Sequence, residues 1–345
     1  LTADEQEVTV EYNETAEVAF ENIEKTGEIK VTKTTVGNIN VSGITFNLRG
    51  TSDSGRDIDI PAVTDENGVA IFSEIPIGTY TIYEDEKTVP TAYLVADPQN
   101  VTVTYAETKE VPIENKEKTG SITVHKTTEG QKNIEGIKFY LRGTSDSGRA
   151  IDIPATTDKD GIAKFDGVPI GTYMVIEDEE TVPYGYLVAD EKEVKVEYAQ
   201  TIDETILNNE QTGTVKVHKK TADMTNVEGI RFILSGISDT GREIRIEATT
   251  DKDGLAKFEG VPVGTYTITE DGSTVPYGYL VADSKQVTVA YAQTVDTDMV
   301  NEKAPDTPNT GVTDNDSDGS KALCSVAIIL AGAAIVMFSR KRKER

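Results

Sequence analysis

Cysteine is almost missing from this chain: 345 residues contain one, Cys324. An internal disulfide is therefore excluded, and an extracellular domain of this sequence must be held together by other means. Histidine is nearly as scarce, with His125 and His218 the only two. They are too far apart to share a metal or catalytic site, and each lies beside a lysine in an alternating stretch, on the opposite phase, as exposed strand residues do. The sequence offers no nucleophile–base pair, phosphate loop or ligand-spaced cluster, so no cofactor, metal or enzymatic activity on an outside substrate is expected. Positive charge is short too: 34 Lys and Arg stand against 60 Asp and Glu, net −26. That surface repels the phosphates of nucleic acid, and it suits an extended soluble protein without identifying a ligand. Helical periodicity is missing outside the C-terminal tail. At the other end, Leu1 is not a methionine and no signal-peptide apolar region follows it.

What the chain has is repetition. Gly27, Gly120 and Gly213 open three near-copies of one module, 93 residues apart (120 − 27 and 213 − 120). The spacing predicts repeats at 27–119, 120–212 and 213–303, each large enough for a small β-domain with its own core. Leu1-Thr-Ala-Asp4 matches Leu94-Val-Ala-Asp97, and 8–27 matches 101–120, so 1–26 reads as the end of an earlier copy. On that reading the chain is a fragment of a longer protein, with any signal peptide and head domain upstream.

Within a repeat, short alternating stretches broken by turn residues predict an all-β sandwich. In repeat 2 strands are expected at 121–126, 136–143, 149–155, 162–165, 168–177, 186–188, 194–198 and 205–208. Asp158-Lys-Asp-Gly161 is a hairpin turn rather than a calcium site. The loop Arg142-Gly-Thr-Ser-Asp-Ser-Gly-Arg149, identical at 49–56, reads as a polar strand connection, with a binding role as the alternative. The link at 116–119 has no proline or glycine run and predicts stiffly joined neighbours.

Three polar residues fall on the core phase of every repeat. Lys33, Lys126 and Lys219 follow their opening glycines by six residues. Glu84, Glu177 and Glu270 follow a Gly-Thr-Tyr segment that reads as a turn, in phase with Tyr80, Tyr173 and Tyr266. Asn115, Asn208 and Asn301 close the last strand, in phase with Ile113, Ile206 and Met299. Side chains alternate with period two along a strand, so all nine should point inward. Asn209, beside Asn208, is out of phase and is the second choice. Burial of such groups costs several kcal/mol unless they are partnered.

Chemistry offers one resolution. Desolvation lowers an amine pKa and raises a carboxyl pKa, so a buried pair can hold a neutral amine beside a protonated acid. The amine is then a nucleophile for the asparagine carboxamide, with glutamate shuttling protons; ammonia leaves and an isopeptide bond remains. Closing the 82-residue loop from Lys33 to Asn115 (115 − 33) would stabilise a repeat by roughly 4–5 kcal/mol on the chain-entropy model. The alternative is an ordinary Lys–Glu ion pair with a snorkelling lysine.

The stretches Gly-Glu-Ile-Lys-Val-Thr-Lys33, Gly-Thr-Tyr-Thr-Ile-Tyr-Glu84, Val-Pro-Tyr-Gly-Tyr186 and Val-Pro-Tyr-Gly-Tyr279 carry a family likeness, although repeat 1 has Val-Pro-Thr-Ala-Tyr93. The repeats resemble the collagen-adhesin B-type (prealbumin-like, SpaA-type) domains of Gram-positive surface proteins and pilins. The resemblance implies tandem Ig-like (prealbumin-like) β-sandwiches with autocatalytic bonds Lys33–Asn115, Lys126–Asn208 and Lys219–Asn301, assisted by Glu84, Glu177 and Glu270. Asn22 fits the asparagine slot of the truncated copy.

The tail, 304–345, adds an anchor. Residues 322–338 form an uncharged apolar run of 17, at the short end for a single transmembrane helix. Residues 340–345 carry five positive charges, which orients the C-terminus to the cytoplasm. Ahead of them, Thr307, Pro308, Asn309, Thr310 and Gly311 resemble a cell-wall sorting motif, with Thr307 where leucine is usual. The acidic stretch 312–321 reads as a spacer, and its start resembles an EF-hand loop that lacks the closing glutamate. The resemblance implies sortase as partner, covalent attachment to peptidoglycan through Thr310, and membrane tethering before sorting; a plain membrane anchor is the alternative. Together these readings predict a wall-anchored extracellular stalk of adhesin type, presenting an upstream region that binds an unknown extracellular ligand. A pilus subunit, for which no Tyr-Pro-Lys donor segment is present, and a display stalk for an upstream enzyme are the alternatives.

Overall fold

The structure is a computed structural model that describes residues 2–132, 134–225 and 227–305. It is all-β, with three tandem sandwich domains. In repeat 1 the strands are β1 (Thr26–Thr35), β2 (Thr45–Thr51), β3 (Asp57–Val63), β4 (Val69–Pro76), β5 (Gly78–Glu84), β6 (Gln99–Val103) and β7 (Thr108–Asn115). One sheet runs β4-β1-β7 and the other β3-β2-β5-β6, and both later repeats copy this order. The only helical turns among the described residues are three short 3-10 segments.

Alternation decides which side chains meet between the sheets. On β1, Ile29, Val31 and Lys33 point inward; on β2 and β5, Phe46, Leu48, Tyr80 and Ile82 do so from the facing sheet. Equivalent sets around Phe139 and Phe232 fill repeats 2 and 3, each from its own repeat alone. The opening glycine is explained by a close approach. A Cβ on Gly120 would lie 2.5 Å from the Glu197 carbonyl oxygen and 2.9 Å from Val196 Cγ1.

The topology has one consequence for the site. Strands β1 and β7 are the first and last of the repeat, yet they pair directly and in parallel, with Lys33 opposite Ile113 and Thr35 opposite Asn115. All other ladder pairs in repeat 1 are antiparallel. A parallel neighbour needs a long crossover, and here the whole domain supplies it.

Several details differ from the sequence reading. Val168-Pro169 ends the strand Ile162–Pro169 instead of starting the next one, which begins at Gly171. Gly171-Thr-Tyr173 is therefore strand, not turn. Residues 186–188 form no strand: Tyr186 makes a single bridge to Glu210. Asp158-Lys-Asp-Gly161 is a turn, closed by the Asp158 carboxylate, which accepts from the Asp160 and Ile162 amides. Residues 2–25 form no strand, only a bridge between Thr2 and Ile23. The apolar run 322–338, the motif 307–311 and the basic end 340–345 lie outside the described residues. Among the described residues no helix is long and apolar enough to cross a membrane.

Candidate functional site

Each repeat brings its lysine, glutamate and asparagine together in the core. Lysine comes from the central strand of the three-stranded sheet, asparagine from the parallel strand beside it, and glutamate from the end of β5 or its counterpart in the opposite sheet. Lys33, Lys126 and Lys219 have fully buried side chains, as have their glutamates to within 1%. The asparagines are equally enclosed. Asn209 is exposed, as its phase requires, and so is Asn22.

The contacts repeat almost atom for atom. Lys33 Nζ lies 3.8 Å from Glu84 Oε1, Lys126 Nζ 3.7 Å from Glu177 Oε1, and Lys219 Nζ 3.1 Å from Glu270 Oε1. Each ammonium also donates to carbonyls of the two parallel strands: Lys126 to Thr127 at 2.5 Å and Ile206 at 3.2 Å, Lys219 to Lys220 at 3.1 Å and Met299 at 3.3 Å. The other glutamate oxygen, Oε2, accepts from the asparagine Nδ2 at 2.6, 2.9 and 2.6 Å in the three repeats. It also accepts a backbone amide, from Ala96, Ala189 or Ala282, which fixes the carboxylate in place.

In every set the asparagine Oδ1 accepts no hydrogen bond among the described residues, and the glutamate Oε1 faces only the lysine Nζ. A buried polar atom without a partner costs about 1–3 kcal/mol. Burial depresses the lysines, opposed by the facing glutamate: Lys33 and Lys126 fall to about 8, and Lys219 is lowered too. A glutamate held between an amine and a carboxamide, in a site closed to water, is equipped to pass a proton from one to the other.

The histidines behave as expected from their phase. His125 and His218 are half-exposed and face Asp203 and Asp296 across the strand. No group of metal-binding side chains occurs among the described residues. Three residues escaped the sequence reading: Glu24, Glu117 and Glu210, which touch the following repeat. Their signal was present, an acid two residues before each first strand.

Each domain is thus a two-sheet sandwich with its lysine and asparagine on adjacent first and last strands and its glutamate in the facing sheet. The model of the SpaA prealbumin-like fold domain matches residues 27–117, 120–211 and 213–303. The chain therefore belongs to that family, as three tandem copies. Among solved structures it is similar to the Bacillus anthracis TIE protein, at 20% identity and a TM-score of 0.58, covering 80% of this chain and 51% of that one. This chain thus spans about half the length of that protein, and the likeness is one of fold. It also aligns with a streptococcal ancillary pilin (18% identity, 81% and 100% coverage, TM-score 0.34). A third alignment is to BcpA, the major pilin subunit of Bacillus cereus (17%, 81% and 100%, TM-score 0.39). A search of curated proteins returns no match.

Proposed function

We propose that the chain is the stalk of an extracellular, cell-wall-anchored surface protein, and that each repeat is locked by an isopeptide bond: Lys33–Asn115, Lys126–Asn208 and Lys219–Asn301. The observation that carries this reading is the threefold recurrence of a buried Lys–Glu–Asn set in which one glutamate faces both the lysine amine and the asparagine carboxamide. In repeat 2, Glu177 takes a proton from Lys126, and the neutral amine attacks the Asn208 carboxamide carbon. The tetrahedral intermediate collapses as Glu177 returns a proton to the departing nitrogen, which lies beside its Oε2. The new C–N bond replaces the old one and ammonia leaves; no oxidant or cofactor is consumed.

The mechanical consequence follows from strand direction. Because β1 and β7 are parallel, pulling on the two ends of a repeat shears one past the other. A bond from Lys33 to Asn115 diverts that load through covalent atoms and leaves residues 34–114 outside the path. In domains without disulfides, this gives a rod that holds an upstream ligand-binding region away from the cell.

The tail supplies the anchor. Sortase would cut between Thr310 and Gly311 and join Thr310 to peptidoglycan, after the apolar run 322–338 and basic end 340–345 hold the precursor in the membrane. Expression in a Gram-positive host tests this. Wall hydrolase should release the product as one discrete band, and Thr310→Ala should leave it with the membranes. A wall fraction indifferent to Thr310→Ala would refute the anchoring; a high-mass ladder would identify a polymerised pilus subunit instead.

A further inference from the structure

The acid two residues before each first strand belongs, by its backbone, to the repeat that is ending. Glu117 forms a bridge with Tyr93 of repeat 1, and Glu210 with Tyr186 of repeat 2. Their side chains point into the next domain. The Glu117 carboxylate accepts from Ser147 Oγ and from Arg149, whose Nη2 and Nε lie 2.8 and 3.2 Å from Oε2. The Glu210 carboxylate accepts from Thr240 and Arg242 of repeat 3. Glu24 meets Ser54 and Arg56 of repeat 1 in the same way, with Arg56 Nη1 at 2.7 Å. The Glu117 side chain is 6% exposed and that of Glu210 is 0% exposed.

The receiving groups are also held by hydrogen bonds within their own hairpin. They sit on the hairpin at 142–149, the polar loop repeated at 49–56, and its counterpart at 235–242. In repeat 2 the Ser145 hydroxyl accepts from the Arg149 amide at 3.1 Å and lies 2.7 Å from the Ser147 hydroxyl. Ser238, Thr240 and Arg242 repeat this at 3.0 and 2.7 Å. A hydroxyl and a guanidinium are thus held side by side, and the hydrogen bonds they give a carboxylate are charge-assisted and stronger than neutral ones.

We infer that this hairpin is a socket for the terminal glutamate of a preceding copy of the same module, and that the joint fixes the orientation between neighbouring repeats. The two joints differ in their added contacts. At the second, Arg242 also meets Glu129 at 3.4 Å, and Lys132 Nζ donates to the Gly241 carbonyl. At the first, Val36 occupies the place of Glu129, and the added contact is Asn40 Nδ2 to the Ser147 carbonyl at 3.0 Å. In repeat 3 the plug position is Lys303, bridged to Tyr279 as the glutamates are to their tyrosines. Its ammonium faces Asp223 of its own repeat and is the wrong charge for an arginine socket. The same module thus exists in a form able to plug a successor and in a form unable to.

Lys303 also supplies the test, since it is a residue this position accepts without loss of the module. In the full chain carrying Cys324→Ser, spin labels on Lys195→Cys and Lys257→Cys span the second joint. The distance distribution between them should be single and narrow. Glu210→Lys should widen it about twofold or add a second population, since an unclamped interdomain contact leaves relative motion free. Arg242→Ala, at a partly exposed side chain, should widen it likewise. A second label pair, Lys109→Cys with Lys195→Cys, spans the first joint and should not respond to Glu210→Lys. Unchanged width in either variant, or equal broadening at both joints, would overturn the proposal. The mass deficit from cross-linking stays the same in all of these proteins, so failure of the joint and failure of the isopeptide reading are separately visible.

Discussion

Removing the proton carrier of one repeat should break one bond and leave two. In repeat 2, Glu177 Oε2 lies 2.9 Å from Asn208 Nδ2, and its Oε1 faces Lys126 Nζ at 3.7 Å. With Glu177→Ala no carboxylate among the described residues faces the Lys126 amine to take its proton or hand one to the leaving nitrogen. Each bond formed releases one ammonia, so the parent protein should be about 51 Da lighter than its sequence and the variant about 34 Da lighter. Losing the 82-residue covalent loop (208 − 126) removes roughly 4–5 kcal/mol from that repeat. At about 4–8 °C per kcal/mol for a domain of this size, its melting transition should fall by roughly 16–40 °C. The amine left without its carboxylate destabilises the repeat further. Intact-mass spectrometry and calorimetry on the same sample read both effects. Glu177→Gln keeps the side-chain size and isolates the proton-transfer role; it should show the same mass gain. A variant that retains the full deficit, or melts with the parent, would refute the reasoning.

Two further outcomes follow from the same geometry. In the triple variant Asn115→Ala, Asn208→Ala, Asn301→Ala the amines stay free, with Lys33 and Lys126 lowered by burial from 10.5 to about 8. Between those values the unfolded chain binds more protons than the folded one, so stability rises with pH through that window and is flat below it. The gain approaches about 3 kcal/mol per site. Urea midpoints at pH 7, 9 and 10, taken relative to matching Lys→Met variants, check it, and a midpoint falling with pH contradicts it. Gly120→Ala forces a methyl against the Glu197 carbonyl oxygen at 2.5 Å and should destabilise repeat 2 by about 1–3 kcal/mol in the same assay.

The inward lysine, glutamate and asparagine were legible because period two leaves a strand residue only two faces, and apolar neighbours mark the buried one. The same logic sorted Asn208 from Asn209 and placed His125 outside. It failed at 186–188, where Tyr186, Leu187 and Val188 look like a strand. Tyr186 is buried, yet it makes one bridge to Glu210 and no ladder. The break at Pro169 was displaced because the proline ends a strand whose register shifts between Phe165 and Val168, a bulge that local composition does not signal. The closeness of the first and last strands was implied by the cross-link alone, and their parallel direction was not anticipated, since no local pattern encodes which distant strand becomes a neighbour or in which direction. The joints at Glu117 and Glu210 were hidden for another reason. An acid in an acidic protein is unremarked until the arginine that meets it is found in the next domain.

Trypsin digestion of the folded protein, followed by fragmentation of the peptides, reaches the central claim most directly. A bonded Lys126 blocks cleavage, so residues 119–132 should appear joined to residues 196–216 as one branched peptide, about 17 Da lighter than its two parts. Its fragments should place the branch at Asn208 and not at Asn209. Free peptides ending at Lys126, alongside an unmodified 196–216, would contradict the account.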